Sequence, residues 1–113
     1  MTFQPAADLD EVTADRPLAA VVDGIRVAIV LDRGQYYAID DECSHGAVAL
    51  SEGDVSEGAI ECYLHGSVFD LKTGRPRSLP ATEAVAVYPC RVAASTIEVD
   101  IDNPITYEAS QES

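Results

Sequence analysis

Residues 41–50 read DECSHGAVAL, with a cysteine and a histidine two positions apart at Cys43 and His45. Residues 61–70 read ECYLHGSVFD and answer that pair with Cys62 and His65. Between His45 and Cys62 lies a connection containing SEGDVSEG, polar and glycine-bearing, which lets the chain turn back. Each pair adjoins a glycine, Gly46 or Gly66, whose conformational freedom lets backbone come close, and each follows an apparent strand end. Two short loops, each presenting one thiolate and one imidazole, can therefore face each other across a metal site. Tetrahedral zinc accepts two sulfur and two nitrogen ligands. Ordinary zinc modules, however, place both cysteines in one pair and both histidines in the other. One of each per loop suits a binuclear iron–sulfur cluster, with Cys43 and Cys62 on one iron and His45 and His65 on the other. Neutral imidazoles in place of thiolates remove negative charge from one iron and raise its potential. On these four residues alone, zinc remains the alternative.

The flanks of both pairs read as strands. PLAAVV (17–22) and IRVAIVL (25–31) are apolar and β-branched, and the Asp-Gly between them tolerates the positive φ angles of a two-residue hairpin turn. QYYAID (35–40) follows another turn at Arg33-Gly34, and AIECYL and SVFDL flank His65, with KTG closing a turn after the second. GRPRSLP (74–80) carries two prolines and is read as irregular, a plain surface loop on its residues alone. EAVAVYPCRVA (83–93) and STIEVDI (95–101) alternate as half-buried strands do, with Pro89 marking the first as an edge or an interruption. The one helical candidate, LDEVTA (9–14), is a single turn. The expected fold class is all-β: a small antiparallel, β-sandwich-like domain over 1–104, with a metal-binding subdomain at about 42–80 and a polar tail at 105–113.

Composition narrows the function classes. The chain has 113 residues, and its seven Lys and Arg face twenty Asp and Glu for a formal net charge of −13. Such a field repels nucleic acid and anionic bilayers, so neither is expected as a partner. No apolar stretch is long enough for a helical membrane span, and the first residues lack the basic and apolar regions of an export signal, so a cytoplasmic location is expected. Three cysteines without an export signal imply reduced thiols rather than a disulfide framework. Two are used in the paired motif, and Cys90, beside Pro89 with no histidine near it, is assigned to packing near a sheet edge. Tyr36, Tyr37 and Tyr88 are read as strand residues in the core. The run Asp40-Asp41-Glu42 either adjusts the neighbouring site or is a solvated turn.

With CSH at 43–45 and CYLHGS at 62–67 in view, the chain resembles the Rieske [2Fe–2S] proteins. YYAIDDECSHG, LSEGDVSEGAIECYLHGSVFDLKTG and the later LPA are similar to the soluble Rieske ferredoxins of bacterial aromatic-ring oxygenase systems. The resemblance runs from about Pro5 to Asp102. It implies a Rieske fold, one [2Fe–2S] cluster held by Cys43, His45, Cys62 and His65, and a hydrogen bond from Ser67 to a bridging sulfide. In respiratory members each loop carries an extra cysteine, and the two form a disulfide. Val48 and Leu64 stand at those positions here, so no such staple exists. A tyrosine that bonds a ligand sulfur is matched by Phe69, which has no hydroxyl. Fewer hydrogen bonds to sulfur lower the potential, so the lower part of the range of roughly −150 to +300 mV is expected.

The functional expectation is a monomeric one-electron carrier rather than an enzyme. Both histidines are taken by the cluster, leaving none for the 2-His-1-carboxylate iron site of a complete oxygenase. The resemblance implies a flavin-dependent, NAD(P)H-oxidising reductase as donor and a terminal non-haem iron oxygenase component as acceptor, each met transiently through salt-sensitive contacts. Other readings are an accessory Rieske protein of cluster assembly or redox sensing, the small subunit of a nitrite-reductase-like enzyme, and a zinc-stabilised interaction module.

Overall fold

The computed structural model describes residues 3–14, 16–42, 49–62, 67–77 and 85–105. The strands are β1 (Gln4–Asp8), β2 (Leu18–Val22), β3 (Ile25–Asp32), β4 (Gln35–Asp40), β5 (Asp54–Ser56), β6 (Ala59–Glu61), β7 (Val68–Asp70), β8 (Val87–Tyr88), β9 (Cys90–Ala93) and β10 (Thr96–Val99). They form three antiparallel sheets, ordered β1-β10-β9, β2-β3-β4-β8 and β5-β6-β7. The chain is all-β, as its sequence implies; its only described helical pieces are two 3-10 turns at Leu9–Glu11 and Leu50–Glu52.

The four-stranded sheet is the middle layer, and the reason is legible in β3. Val27, Ala28, Ile29 and Val30 are all fully buried, a run without polar alternation that needs cover on both faces. Val27 and Ile29 join Ala7, Val22, Ala38, Ile97 and Val99 against the β1-β10-β9 sheet. Ala28 and Val30 point the other way, into a second core with Ile39, Leu50, Ile60, Cys62, Phe69, Leu71 and Val87. The first core builds the base sandwich. The second attaches the small β5-β6-β7 sheet.

The Asp23-Gly24 and Arg33-Gly34 turns form as read, with φ of 51° and 82°, and of 52° and 80°. Those positive pairs give the tight turns that suit the right-handed strand twist. Pro89 does interrupt its segment: β8 pairs with β4 in the middle sheet, and β9 pairs with β10 in the outer one. Two strands escape the sequence pattern. β1 contains Pro5 and no clean alternation, yet it pairs with β10 as an edge strand, where a missing N–H is tolerated, through a bulge between Pro5 and Ala7. β5 lies inside the connection read as a polar turn-back and gains its pairing from β6. Ile105, assigned to the tail, bridges Val87, so ordered pairing reaches at least that residue.

Polar contacts lock the small sheet to the middle one. The Asp32 carboxylate, at the β3–β4 turn, accepts from the Gly58 N–H at 2.7 Å, and the Gly58 carbonyl accepts from the Leu71 N–H at 2.9 Å. Asp70 organises the turn after β7 by accepting from the Lys72 and Thr73 N–H groups and from Arg77 at 2.7 Å. Burial alone would raise the Asp70 carboxyl, but Arg77 and the two amides outweigh it and leave the group below its usual range. Its folded value is therefore depressed. The associated stability is present above the unfolded value of about 3.9 and lost as pH falls through the folded one. Asp70→Asn is expected to cost about 1–2 kcal/mol at pH 7, charge-assisted bonds discounted for the exposure of Arg77. Urea melts should show that gap to wild type closing below about pH 4; a gap constant with pH would rule the charge out.

Candidate metal centre

The paired motif divides between described and undescribed residues. Cys62 and Ser67 lie within the described chain, while Cys43, His45 and His65, with Gly46, Val48, Leu64, Gly66 and Pro80, lie outside it. The described residues nevertheless fix the stems of both loops.

The first loop, 43–48, leaves from the end of β4 and returns to the Leu50–Glu52 turn. Glu42 and Ala49 form an isolated antiparallel bridge across its neck. One residue further out, the Leu50 N–H donates to the Asp41 carbonyl at 2.6 Å, and the Ser51 N–H donates to Asp41 Oδ1 at 2.8 Å. The second loop, 63–66, spans the β6–β7 hairpin. Glu61 pairs with Val68, and the Cys62 N–H donates to the Ser67 carbonyl at 2.7 Å. Both loops are thus closed at their bases by short backbone ladders.

Gly53 brings the two stems together. A methyl group there would overlap the Glu61 carbonyl oxygen and sit 3.3 Å from the Leu50 carbonyl. Backbone that has just left the first loop therefore lies directly against the residue preceding Cys62. Leu50 and Cys62 share one core with Ile60 and Phe69. A third segment joins them, since Phe69 bridges Pro76 and the Arg77 N–H donates to the Val68 carbonyl just before 78–84.

Among the described residues no cluster of three or more potential ligands is complete. The local chemistry still fits an iron–sulfur group. Cys62 is a soft sulfur donor, fully buried at the mouth of its loop, and Ser67 is fully buried beside it. Phe69 is also fully buried, so its position offers an apolar wall and no hydroxyl. Cys90 lies elsewhere, on edge strand β9 against the base core, with its thiol pushed up to about 11 by burial. Tyr37 packs on the core around Cys62, and Tyr36 and Tyr88 on the base core. Burial, then the Asp40 charge, raises the Tyr88 hydroxyl.

The acidic run at 40–42 is not one solvated turn. Glu42 is exposed and Asp40 is half-buried, with burial the leading cause of its raised carboxyl. Asp41 is fully buried. That burial is a feature the sequence does not announce, because nothing in a string of three acids shows which one turns inward.

Residues 2–89 match the Rieske [2Fe-2S] domain family. The chain belongs to that family. The anthranilate 1,2-dioxygenase ferredoxin subunit of Burkholderia cepacia is 39% identical over 99 residues, covering 88% of this chain and 92% of that subunit. The ferredoxin of carbazole 1,9a-dioxygenase from Nocardioides aromaticivorans IC177 superposes with a TM-score of 0.82 at 37% identity, over 88% of this chain and 97% of that one. A solved complex of reduced oxygenase and oxidized ferredoxin in carbazole 1,9a-dioxygenase contains a similar chain, with a TM-score of 0.77 and 29% identity, covering 86% and 91%. This Rieske protein is accordingly an electron-carrying ferredoxin and not an enzyme. The β5-β6-β7 sheet holds the stem of the second loop, and the end of β4 with the Leu50–Glu52 turn holds that of the first.

Proposed function

We propose that Cys43, His45, Cys62 and His65 hold a single [2Fe–2S] cluster, and that the chain delivers electrons one at a time to the oxygenase component of an aromatic-ring-hydroxylating system. The observation that carries the ligand assignment is the convergence of the two loop stems at Gly53 and Glu61, with Cys62 buried between Leu50 and Phe69. When bound, the cluster supplies a site that accepts and releases one electron. The chain's own task is to keep water from the sulfur side, hold the two loops in register, and present their tips to a partner. Ser67, buried at the loop base, is the residue whose hydroxyl would meet a cluster sulfur.

The acceptor is inferred from relatives that are dioxygenase ferredoxin subunits and from the oxygenase–ferredoxin complex. The donor is a flavin-dependent reductase, and the carrier works as a monomer in the cytoplasm, organised as one domain over 1–104 with the metal-binding part at about 42–80. Among the described residues no helix is long and apolar enough to cross a membrane. Asp54 and Glu61 stand directly opposite each other on β5 and β6, a like-charge pair that costs stability within the sheet. With Glu57 they line a depression of about 200 Å³ that Arg77, already paired with Asp70, also borders. That arrangement favours a basic partner surface and salt-sensitive encounter.

The test is anaerobic purification followed by iron and sulfide assay, EPR, and a redox titration. Two irons and two labile sulfides per chain are expected, with a midpoint below about +100 mV, in the lower part of the Rieske range. Electron transfer to a ring-hydroxylating oxygenase should slow as salt rises. Colourless protein holding one zinc and no sulfide would refute the assignment, and a midpoint above that bound would refute the argument from Phe69.

A further inference from the structure

Asp41 is a fully buried carboxylate two residues before Cys43, and its two oxygens have different fates. Oδ1 accepts from the Ser51 N–H at 2.8 Å, across the neck of the first loop. Among the described residues Oδ2 is buried with no hydrogen-bond partner. Its counter-charge among the described residues is the Arg26 guanidinium, 3.6 Å away at the start of β3, and that side chain is 64% exposed. The backbone repeats the linkage, since the Asp41 N–H donates to the Arg26 carbonyl at 3.3 Å and the Asp41 carbonyl accepts from Leu50.

A buried, half-satisfied carboxylate is a costly feature to keep. Structural need accounts for Oδ1, which closes the loop. It does not account for Oδ2. The pair is also asymmetric: the carboxylate is shielded from bulk solvent, while the cation is mostly exposed and lines a surface depression with Ile25, Asp40, Glu42 and Tyr88. Solvent screens Arg26 more than Asp41, so the surroundings of the first ligand loop retain a net negative charge. A fixed negative charge two residues from a proposed ligand of a centre that gains an electron disfavours the reduced form.

We propose that Asp41 is a positioning residue for the first ligand loop, and that its buried charge, partly offset by Arg26, holds the reduction potential of this ferredoxin down. The inference rests on the cluster reading above. It assigns part of the low potential to a charge, separately from the missing hydroxyl at Phe69.

The experiment measures midpoint potentials of the holo-protein for wild type, Asp41→Asn, Arg26→Gln and Arg91→Gln, with iron content and EPR recorded for each. Asp41→Asn keeps the shape and removes the charge. Reduction should become at least about tenfold more favourable, the effect of one nearby charge on a poorly solvated group. That is an upward shift of about 59 mV for one electron. Arg26→Gln should move the potential the opposite way by a smaller factor, roughly threefold, because the side chain is mostly in solvent. Arg91→Gln removes the same unit of charge from the separate β1-β10-β9 sheet and should change the equilibrium less than twofold, about the ceiling for a screened surface charge. A loosened loop would not produce shifts of opposite sign at an unchanged EPR signal. If Asp41→Asn fails to hold iron, the sign of the Arg26→Gln shift decides. An unmoved potential in both variants, or shifts in the same direction, overturns the proposal while leaving the cluster in place. A wild-type chain without a cluster overturns the reading beneath it as well.

Discussion

Gly53→Ala is expected to lower stability by about 3 kcal/mol, the upper end for overpacking, and to reduce cluster loading at the same time. The cause is steric. The added methyl would occupy the space of the Glu61 carbonyl oxygen, which belongs to the β5-β6-β7 backbone ladder and has no rotamer to escape into. The Leu50 carbonyl, 3.3 Å away on the other side, blocks retreat in that direction. Either the Leu50–Glu52 turn or β6 must shift, and each is the stem of one ligand loop. For a domain of this size the loss corresponds to a fall in Tm of roughly 15 °C. Gly24→Ala is the comparison, because open space surrounds that position and only its φ of 82° opposes a side chain. That strain costs about 1–2 kcal/mol, and Gly24 belongs to the β2–β3 turn rather than to the backbone of either loop stem. Thermal melts and iron content of the two variants should therefore separate, Gly53→Ala losing both and Gly24→Ala losing only a little stability. Equal behaviour of the two would mean that Gly53 does not hold the stems together.

The base sandwich is the most legible part of the sequence, and its physics explains why. The run Val27–Val30 has no polar position, so it demands cover on both faces, and the Asp23-Gly24 turn fixes its partner at the nearest strand. Where local chemistry is weaker, the sequence is silent. Gln4–Asp8 has neither alternation nor β-branching; it becomes a strand because β10 offers an unpaired edge, a fact about residues some ninety positions away. Asp54–Ser56 reads as polar connection and pairs only because β6 folds back on it.

The candidate site divides along the same line. Its proposed donor atoms are legible because metal chemistry restricts candidates to a few residue types at short spacings, so Cys62 is a candidate before any fold is known. The residues that hold the loops are not. Gly53 is one of seven glycines, and only the approach of the Glu61 backbone distinguishes it. Asp41 is one of three consecutive acids, and its inward turn follows from the bridge between Glu42 and Ala49 together with the Ser51 N–H. Ligands answer to chemistry, which is local. Their supports answer to packing, which joins distant segments.

Cys62→Ala should abolish cluster assembly while leaving the apo chain within about 1 kcal/mol of apo wild type. Cys62 is fully buried in an apolar core with Leu50, Ile60 and Phe69, where a small alkyl side chain is acceptable and removal of one sulfur leaves a minor cavity. The cost of that cavity is about 1 kcal/mol. Losing the ligand has a far larger consequence, since ligand binding adds to folding stability by mass action and an incomplete donor set forfeits all of it. Cys62→Ser separates shape from chemistry in the other direction. It keeps the volume but offers a hard oxygen and a buried hydroxyl, which costs about 1–3 kcal/mol when unpaired. Iron and sulfide should fall to background in both variants, with the serine form the less stable apo chain. Cys90→Ala supplies the contrast, because that thiol sits on the edge strand of the base sandwich, in a separate sheet from both loop stems. It should retain wild-type iron, sulfide and EPR. Full cluster content in Cys62→Ala, or its loss in Cys90→Ala, would require a different set of ligands and with it a different account of why the two loop stems meet.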